Sequence, residues 1–298
     1  MYKKILVPLD GSELGQQALP YGRMLGRALK SPVELYRIYE PAPVYFYPDP
    51  GGYRERMAAA EEHRKQALAS LNPIRDSLQA QGVAATATVH EPPPAPRGGH
   101  APREGPLDPA HLIVDEAGTE SDTLIVMCTH GRSGVGRWVM GSVTDKVMHS
   151  ATSPMWIVRA RPDAHPLEAV KLDSIILPLD GSALSEQIVP HAVALAKALE
   201  LMIRPVRVTA GDRADAHEAD HLHQMGARLL RQGVLAVEER ILHGDPGAAL
   251  VDLTEELPNA LVAMTTHGRS GVGRWVLGSV TNRVVRYGAG PVLVTRSF

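Results

Sequence analysis

Residues 123–147 read TLIVMCTHGRSGVGRWVMGSVTDKV. An apolar run, Thr123 to Met127, enters a segment with glycine at 131, 134, 136 and 141, and a helical pattern opens near Ser142. The order is strand, glycine-rich loop, helix. Glycines leave backbone N–H groups uncovered and permit positive φ. A helix beginning at Ser142 aims further N–H groups and its positive dipole end at the same space. Together these make an anion cradle, most often for phosphate. The bland alternative is a tight turn into a helix. The run Gly136-x4-Gly141-Ser142 mimics a Walker A loop but lacks its lysine, which argues against a P-loop NTPase.

The stretch occurs twice. Residues 266–284 match 129–147 at 16 of 19 positions, differing only at Met140/Leu277, Asp145/Asn282 and Lys146/Arg283. A loop held this closely reflects a recent duplication or a constraint shared by both copies.

Working outward, the repeat takes in the whole chain. Ile5-Leu6-Val7-Pro8-Leu9-Asp10-Gly11-Ser12 returns as Ile175-Ile176-Leu177-Pro178-Leu179-Asp180-Gly181-Ser182, and each copy is an apolar strand that turns into a helix. The offset is 170 there, 153 at His90/His243 and 137 at the glycine loops, so the first half carries 33 additional residues in two insertions.

In the first half, strands are expected at 4–9, 32–39, 83–90, 123–127 and 154–159. Helices are expected at 17–29, 53–81, with Pro73 kinking or interrupting it, and 110–117. Segments 41–52 and 91–109, rich in proline, read as irregular. Residues 160–170 form a linker. The domains are therefore 1–160, with insertions near 41–57 and 91–107, and 171–298. Strands that alternate with helices call for an α/β fold: two tandem doubly wound domains, each a parallel sheet with helices on both faces.

Composition excludes several classes. The chain has 298 residues, 44 % apolar and 21 % charged, with a net charge of −2. No basic excess points to nucleic acid or to a membrane surface. Cys128 is the single cysteine, so no intrachain disulfide forms. The apolar start is too short for a signal peptide, and no run reaches transmembrane length, so a cytoplasmic protein is expected. No histidine cluster has metal-ligand spacing. No Ser-His-Asp or Cys-His set stands out, and an enzyme is not expected.

These motifs resemble the universal stress protein family. The likeness rests on Pro8-x-Asp10 and Pro178-x-Asp180, on Gly131-x9-Gly141-Ser142-Val143 and Gly268-x9-Gly278-Ser279-Val280, and on Gly244-Asp245-Pro246. It covers nearly the whole chain as two tandem domains. It implies an open five-stranded parallel sheet of order 3-2-1-4-5, with ligand at the carboxyl ends of the strands. It implies adenine nucleotide, ATP with Mg²⁺, as ligand and a sensor or regulatory role.

Asp10 and Asp180 would meet the ribose hydroxyls, and Ile38 and Val208 the adenine. Gly131, Gly141, Ser142 and Val143, with Gly268, Gly278, Ser279 and Val280, would hold phosphates. Pro8, Leu9, Met127, Arg132 and Gly134 complete the first site, and Pro178, Leu179, Met264, Arg269 and Gly271 the second. Arg132, Arg137, Arg269 and Arg274 either pair with phosphate or are solvated surface. Asp10 and Asp180 could instead cap the helix that follows. His130 and His267 either donate to phosphate or make a structural hydrogen bond.

One departure stands out: the family's ATP-binding pattern is Gly-x2-Gly-x9-Gly-Ser/Thr, and Cys128 and Thr265 occupy its first glycine. It keeps open a protein of the same fold that binds no nucleotide and acts through interaction. A related hydrolase fold is disfavoured, since Asp10-Gly11-Ser12-Glu13 stands where such enzymes carry a Ser-Gly-Gly-x-Asp-Ser type of loop.

Family dimers pair through their last strand, so Pro154–Arg159 and Pro291–Arg296 are expected to pair antiparallel as an intramolecular pseudo-dimer, with a homodimer of the whole chain beyond it. The insertions carry Tyr45, Phe46 and Tyr47, and Arg97, His100 and Arg103. As lids they would make the first site slower to release ligand than the second; as loose loops they would not.

Overall fold

Residues 1–38, 50–90, 108–120, 122–129, 140–161, 169–209, 211, 216–266 and 277–297 are described by a computed structural model. The glycine-loop cores 130–139 and 267–276, the segments 39–49 and 91–107, and most of the linker lie outside the described residues. So do the expectations placed on Gly131, Arg132, Gly134, Gly268, Arg269 and Gly271, and on both lids.

The first half runs β1 (Lys4–Pro8), α1 (Glu13–Gln16), α2 (Leu19–Leu29), β2 (Val33–Ile38), α3 (Pro50–Ala80), β3 (Ala85–His90), α4 (Pro109–Gly118), β4 (Thr123–Cys128), α5 (Ser142–Ser150) and β5 (Met155–Val158). The second half repeats it: β6 (Ser174–Pro178), α6 (Ala183–Glu186), α7 (Val189–Leu199), β7 (Met202–Thr209), α8 (Ala216–Arg231), β8 (Arg240–His243), α9 (Pro246–Glu256), β9 (Ala260–Thr265), α10 (Ser279–Tyr287) and β10 (Val292–Thr295).

Two expectations are corrected. The first helix is two helices, because Pro20 sits in the first turn of α2, where its missing N–H costs nothing. Gln17 and Ala18 form the break, and Pro190 starts α7 in the same way. Of the two outcomes expected of Pro73, interruption does not occur, since α3 continues through it to Ala80. A proline inside a helix costs about 3 kcal/mol. Buried Leu71 and Leu78 on either side of it, with Ile74 packed beside them, offset that cost by holding α3 to the sheet.

The sheet order is β3-β2-β1-β4-β5-β10-β9-β6-β7-β8. Each half is therefore the doubly wound order 3-2-1-4-5, parallel throughout. Successive residues of β1 face opposite layers: Ile5 and Val7 join the layer under α2 and α3, and Leu6 the layer under α4 and α5. With both faces covered, the strand must be apolar at every position, which is why these strands read as continuous hydrophobic runs.

Among the described residues one antiparallel step joins the halves. Met155, Trp156 and Ile157 of β5 stand opposite Val294, Leu293 and Val292 of β10. Around this seam Gln17 Nε2 donates to Arg161 O at 2.6 Å, and Arg161 N donates back to Gln17 Oε1 at 2.8 Å. Arg159 donates to the carbonyls of Tyr287 and Gly288, and Arg161 to that of Ala289. Cations at the carboxyl end of α10 complement its dipole. Among the described residues no helix is long and apolar enough to cross a membrane.

A second cross-half contact is expected to respond to pH. Tyr2 Oη lies 2.7 Å from His191 Nδ1 on α7. Burial pushes the His191 pKa below its ordinary value, and Asp122 opposes this weakly. A histidine held neutral in the fold binds its proton more readily when unfolded. Stability is therefore full above the unfolded pKa, about 6.5, and falls as pH drops below it. Denaturant unfolding at pH 7.5 and 5.5 should show a loss of up to about 1.4 kcal/mol per pH unit in this window. His191→Gln, whose amide oxygen can accept from Tyr2, should remove that portion. An identical pH slope in the variant would refute the assignment.

Candidate functional site

The strand ends come together before any loop is considered. Pro8 is level with Tyr36 on β2, and Leu6 with Ile125 on β4. Asp10, Ile38 and Thr129 therefore leave three adjacent strands at one carboxyl edge. In the second half Pro178 is level with Val206, and Ile176 with Val262, bringing Asp180, Val208 and Thr266 to the same arrangement.

The turn after the first strand is built alike in both halves. Gly11 and Gly181 adopt φ of 84° and 78°, a region that favours glycine. The helix cap is Ser12, whose Oγ accepts from Gly15 N at 3.0 Å, and likewise Ser182 with Ser185 N at 3.1 Å. Asp10 and Asp180 are not the caps. Their Oδ1 atoms accept from the backbone N and the Oγ of these serines at 2.6–2.9 Å, fixing each carboxylate at the strand end. Each serine stands immediately before its helix, two residues nearer to it than the aspartate. Leu9 and Leu179 are buried behind the turn.

The glycine loop enters and leaves through one clamp. Gly141 N donates to Thr129 O at 2.6 Å, and Gly278 N to Thr266 O at 2.8 Å. Thr144 Oγ1 donates to Cys128 O at 2.7 Å, and Thr281 Oγ1 to Thr265 O at 2.9 Å. The first turns of α5 and α10 are thereby tied to the ends of β4 and β9.

Gly141 and Gly278 are the N-cap residues, and neither helix has a side-chain cap hydrogen bond. Their φ values, −60° and −56°, are open to any residue. By contrast α1, α4, α6 and α9 are capped by Ser12, Asp108, Ser182 and Asp245.

Three apolar members of each expected site lie in one layer, joined by Met140 and Leu277, whereas Leu9 and Leu179 face the other. Met127, Met140, Ile38 and Val143 pack in the layer under α4 and α5, as do Met264, Leu277, Val208 and Val280 under α9 and α10. Cys128 faces the other layer, with Sγ 3.6 Å from Gly15 O, and burial pushes its thiol pKa up. Its side chain is thus absorbed by packing against α1. Thr265 is buried as well.

Four paired features were missed from sequence. Thr129 and Thr266 begin the clamp, and Thr144 and Thr281 brace it. Asp108 and Asp245 pair with Lys146 and Arg283 at 2.6 and 2.8 Å, tying α4 to α5 and α9 to α10. The hydrogen bond from Lys146 holds the Asp108 carboxyl below its usual range. Arg37 and Arg207 lie against the turn after the first strand. A signal existed for all of them, since each pair repeats at the local offset of 137 or 170. Among the described residues no group of three or more His, Cys, Asp or Glu is placed to hold a metal ion.

The chain is similar to known proteins. A family model described as "Universal stress protein family" matches residues 1–98, 104–159 and 171–296. A universal stress protein of Mycolicibacterium smegmatis is 26 % identical over 199 residues, 63 % of this chain and 65 % of that protein's length. One of Thermus aquaticus is 29 % identical over 164 residues, 53 % of this chain and 100 % of its own length. The crystal structure of a universal stress protein from Archaeoglobus fulgidus shares the fold over 99 % of both chains, with a TM-score of 0.69 at 20 % identity.

Proposed function

The chain belongs to the universal stress protein family, and from that premise we propose that each half binds an adenine nucleotide, ATP with Mg²⁺, as a sensor or regulatory module in the cytoplasm. The observation that carries this reading is the pair of bare glycine N-caps. Two helices start at a glycine that the backbone does not require, clamped to the end of the neighbouring strand. A missing side chain there serves close approach of an anion to the helix N–H groups.

The first phosphates would meet Gly141, Ser142 and Val143, and the second Gly278, Ser279 and Val280. Asp10 and Asp180, held by Ser12 and Ser182, would receive the ribose hydroxyls. Ile38 with Met127, and Val208 with Met264, would line the adenine. The cation comes with the nucleotide. The role proposed is binding rather than turnover. The two halves act as an intramolecular pseudo-dimer across β5 and β10.

Cys128 and Thr265 favour a second reading, a module of this fold that binds no nucleotide. Burial of Cys128 on the α1 side weakens that objection in the first half. Mass spectrometry of ligand released from purified protein, with calorimetric titration of ATP, separates the two. Heats that fit up to two sites per chain support nucleotide binding. No released nucleotide and no heat with ATP leave the interaction module.

A further inference from the structure

An arginine near the end of the second strand recurs at the same place in both halves, Arg37 and Arg207. Arg207 is 6 % exposed. Its Nη1 donates to Leu179 O at 3.3 Å, the carbonyl just before Asp180. Its Nε and Nη2 donate to Glu218 Oε1 at 3.1 and 2.5 Å, in the first turn of α8. Arg37 also lies close to the first-half turn, beside Gly11. A Cβ built on Gly11 would stand 2.8 Å from its Nη2 and 3.1 Å from its Cζ. Its Nη1 donates to Ser70 Oγ on α3 at 2.6 Å.

The anchors differ although the arginines do not. Gln81-Gly82-Val83 and Gln232-Gly233-Val234 end α3 and α8 at an offset of 151, which sets Ala67 where Glu218 stands. Ser70, one helical turn later, takes over the anchor. Two unlike acceptors on the following helix hold the same guanidinium against the same turn, so the common element is the arginine's grip on the aspartate turn.

We infer that Arg37 and Arg207 are positioning residues for Asp10 and Asp180, and so set how strongly each site discriminates for the sugar hydroxyls of its ligand. The inference rests on the nucleotide reading above. Arg207 ties the strand-one turn of its half to α8, and Arg37, held by Ser70 on α3, packs against Gly11 in the first half, leaving each aspartate little freedom relative to the strand ends. A carboxylate that wanders by an ångström loses most of the directional gain of a hydrogen bond to a hydroxyl.

The test compares ATP with 2′,3′-dideoxyATP, which keeps the base and phosphates and lacks both hydroxyls. Affinities are measured by calorimetry on the full chain, on the Arg37→Met/Arg207→Met pair, which keeps the stems but no donors, and on the Arg37→Lys/Arg207→Lys pair. Thermal melting of each protein checks its fold. The wild type should prefer ATP. The methionine pair should cut that preference at least five-fold by weakening ATP while dideoxyATP binds within two-fold of wild type, and the lysine pair should fall between. Equal weakening of both ligands, or an unchanged preference, overturns the inference and leaves nucleotide binding standing. Absence of ATP binding by the wild type overturns the nucleotide reading and this inference with it. If the methionine pair does not fold, the lysine pair alone decides on the same criterion.

Discussion

Gly141→Val combined with Gly278→Val should abolish measurable ATP binding while the protein stays folded. The backbone at both positions is extended, with ψ of 143° and 145°, and a β-branched residue is at ease there. Each glycine N–H is already turned inward, to Thr129 O or Thr266 O. The substitution therefore leaves the clamp intact and adds methyl groups on the approach to the first N–H groups of α5 and α10. Charge-assisted hydrogen bonds contribute roughly 1.5–3 kcal/mol each. Losing two of them is a drop of two decades or more in affinity.

A charge sharpens the test. Gly141→Asp with Gly278→Asp supplies the missing cap and should raise stability by a few tenths of a kcal/mol. The same carboxylate stands where phosphate would bind and repels it. Stability up and binding down is a combination that generic damage does not produce. Calorimetric titration beside a thermal melt reads both quantities, and equal ATP heats in wild type and either pair would remove the site assignment.

Trp156→Ala should be the most destabilising single change at the seam. Trp156 is fully buried, stands opposite Leu293 on β10 and packs tilted at 46° against Tyr21 at a ring-centroid distance of 5.9 Å. Truncating a buried tryptophan costs about 3–5 kcal/mol through lost transfer energy and the cavity it leaves. The melting point should fall by on the order of 10 °C. Trp156→Phe should cost far less. It keeps an aromatic ring and removes an Nε1–H that is buried with no hydrogen-bond partner among the described residues. That variant also isolates Trp138 and Trp275, the two other tryptophans, both in the glycine loops. Their fluorescence is then read without the signal of Trp156. A midpoint for Trp156→Ala within 2–3 °C of wild type, less than about 1 kcal/mol, would show that the seam does not depend on this residue.

Much of the architecture was legible in the chain alone, and the reason is that its signals are local. Runs such as Ile5-Leu6-Val7 and Leu124-Ile125-Val126 can only be strands covered on both faces. Their alternation with amphipathic helices admits little besides a parallel sheet. The repeat of Asp10-Gly11-Ser12 and of the glycine loop set the number of halves, and with the family resemblance it named the carboxyl edge. Helix breaks were less legible, because they depend on how strongly a stripe is held to the sheet. Pro20 begins a helix, whereas Pro73 is carried through one by Leu71 and Leu78.

What the tertiary structure alone decided is how each side chain is spent. Asp10 and Ser12 are equally good caps on paper. The cap falls to Ser12 because Gly11 turns the chain between them, and that leaves Asp10 fixed at the strand end. Cys128 could have faced the ligand edge or the core. The pleat at the end of β4 turns it toward Gly15, and only Cys128 O remains for Thr144. Arg37 and Arg207 carry no hint in sequence that one ends on Ser70 and the other on Glu218. Those partners lie 33 and 11 residues away. Contacts at such separations are chosen by the packing of whole helices on the sheet, and local periodicity holds no information about them.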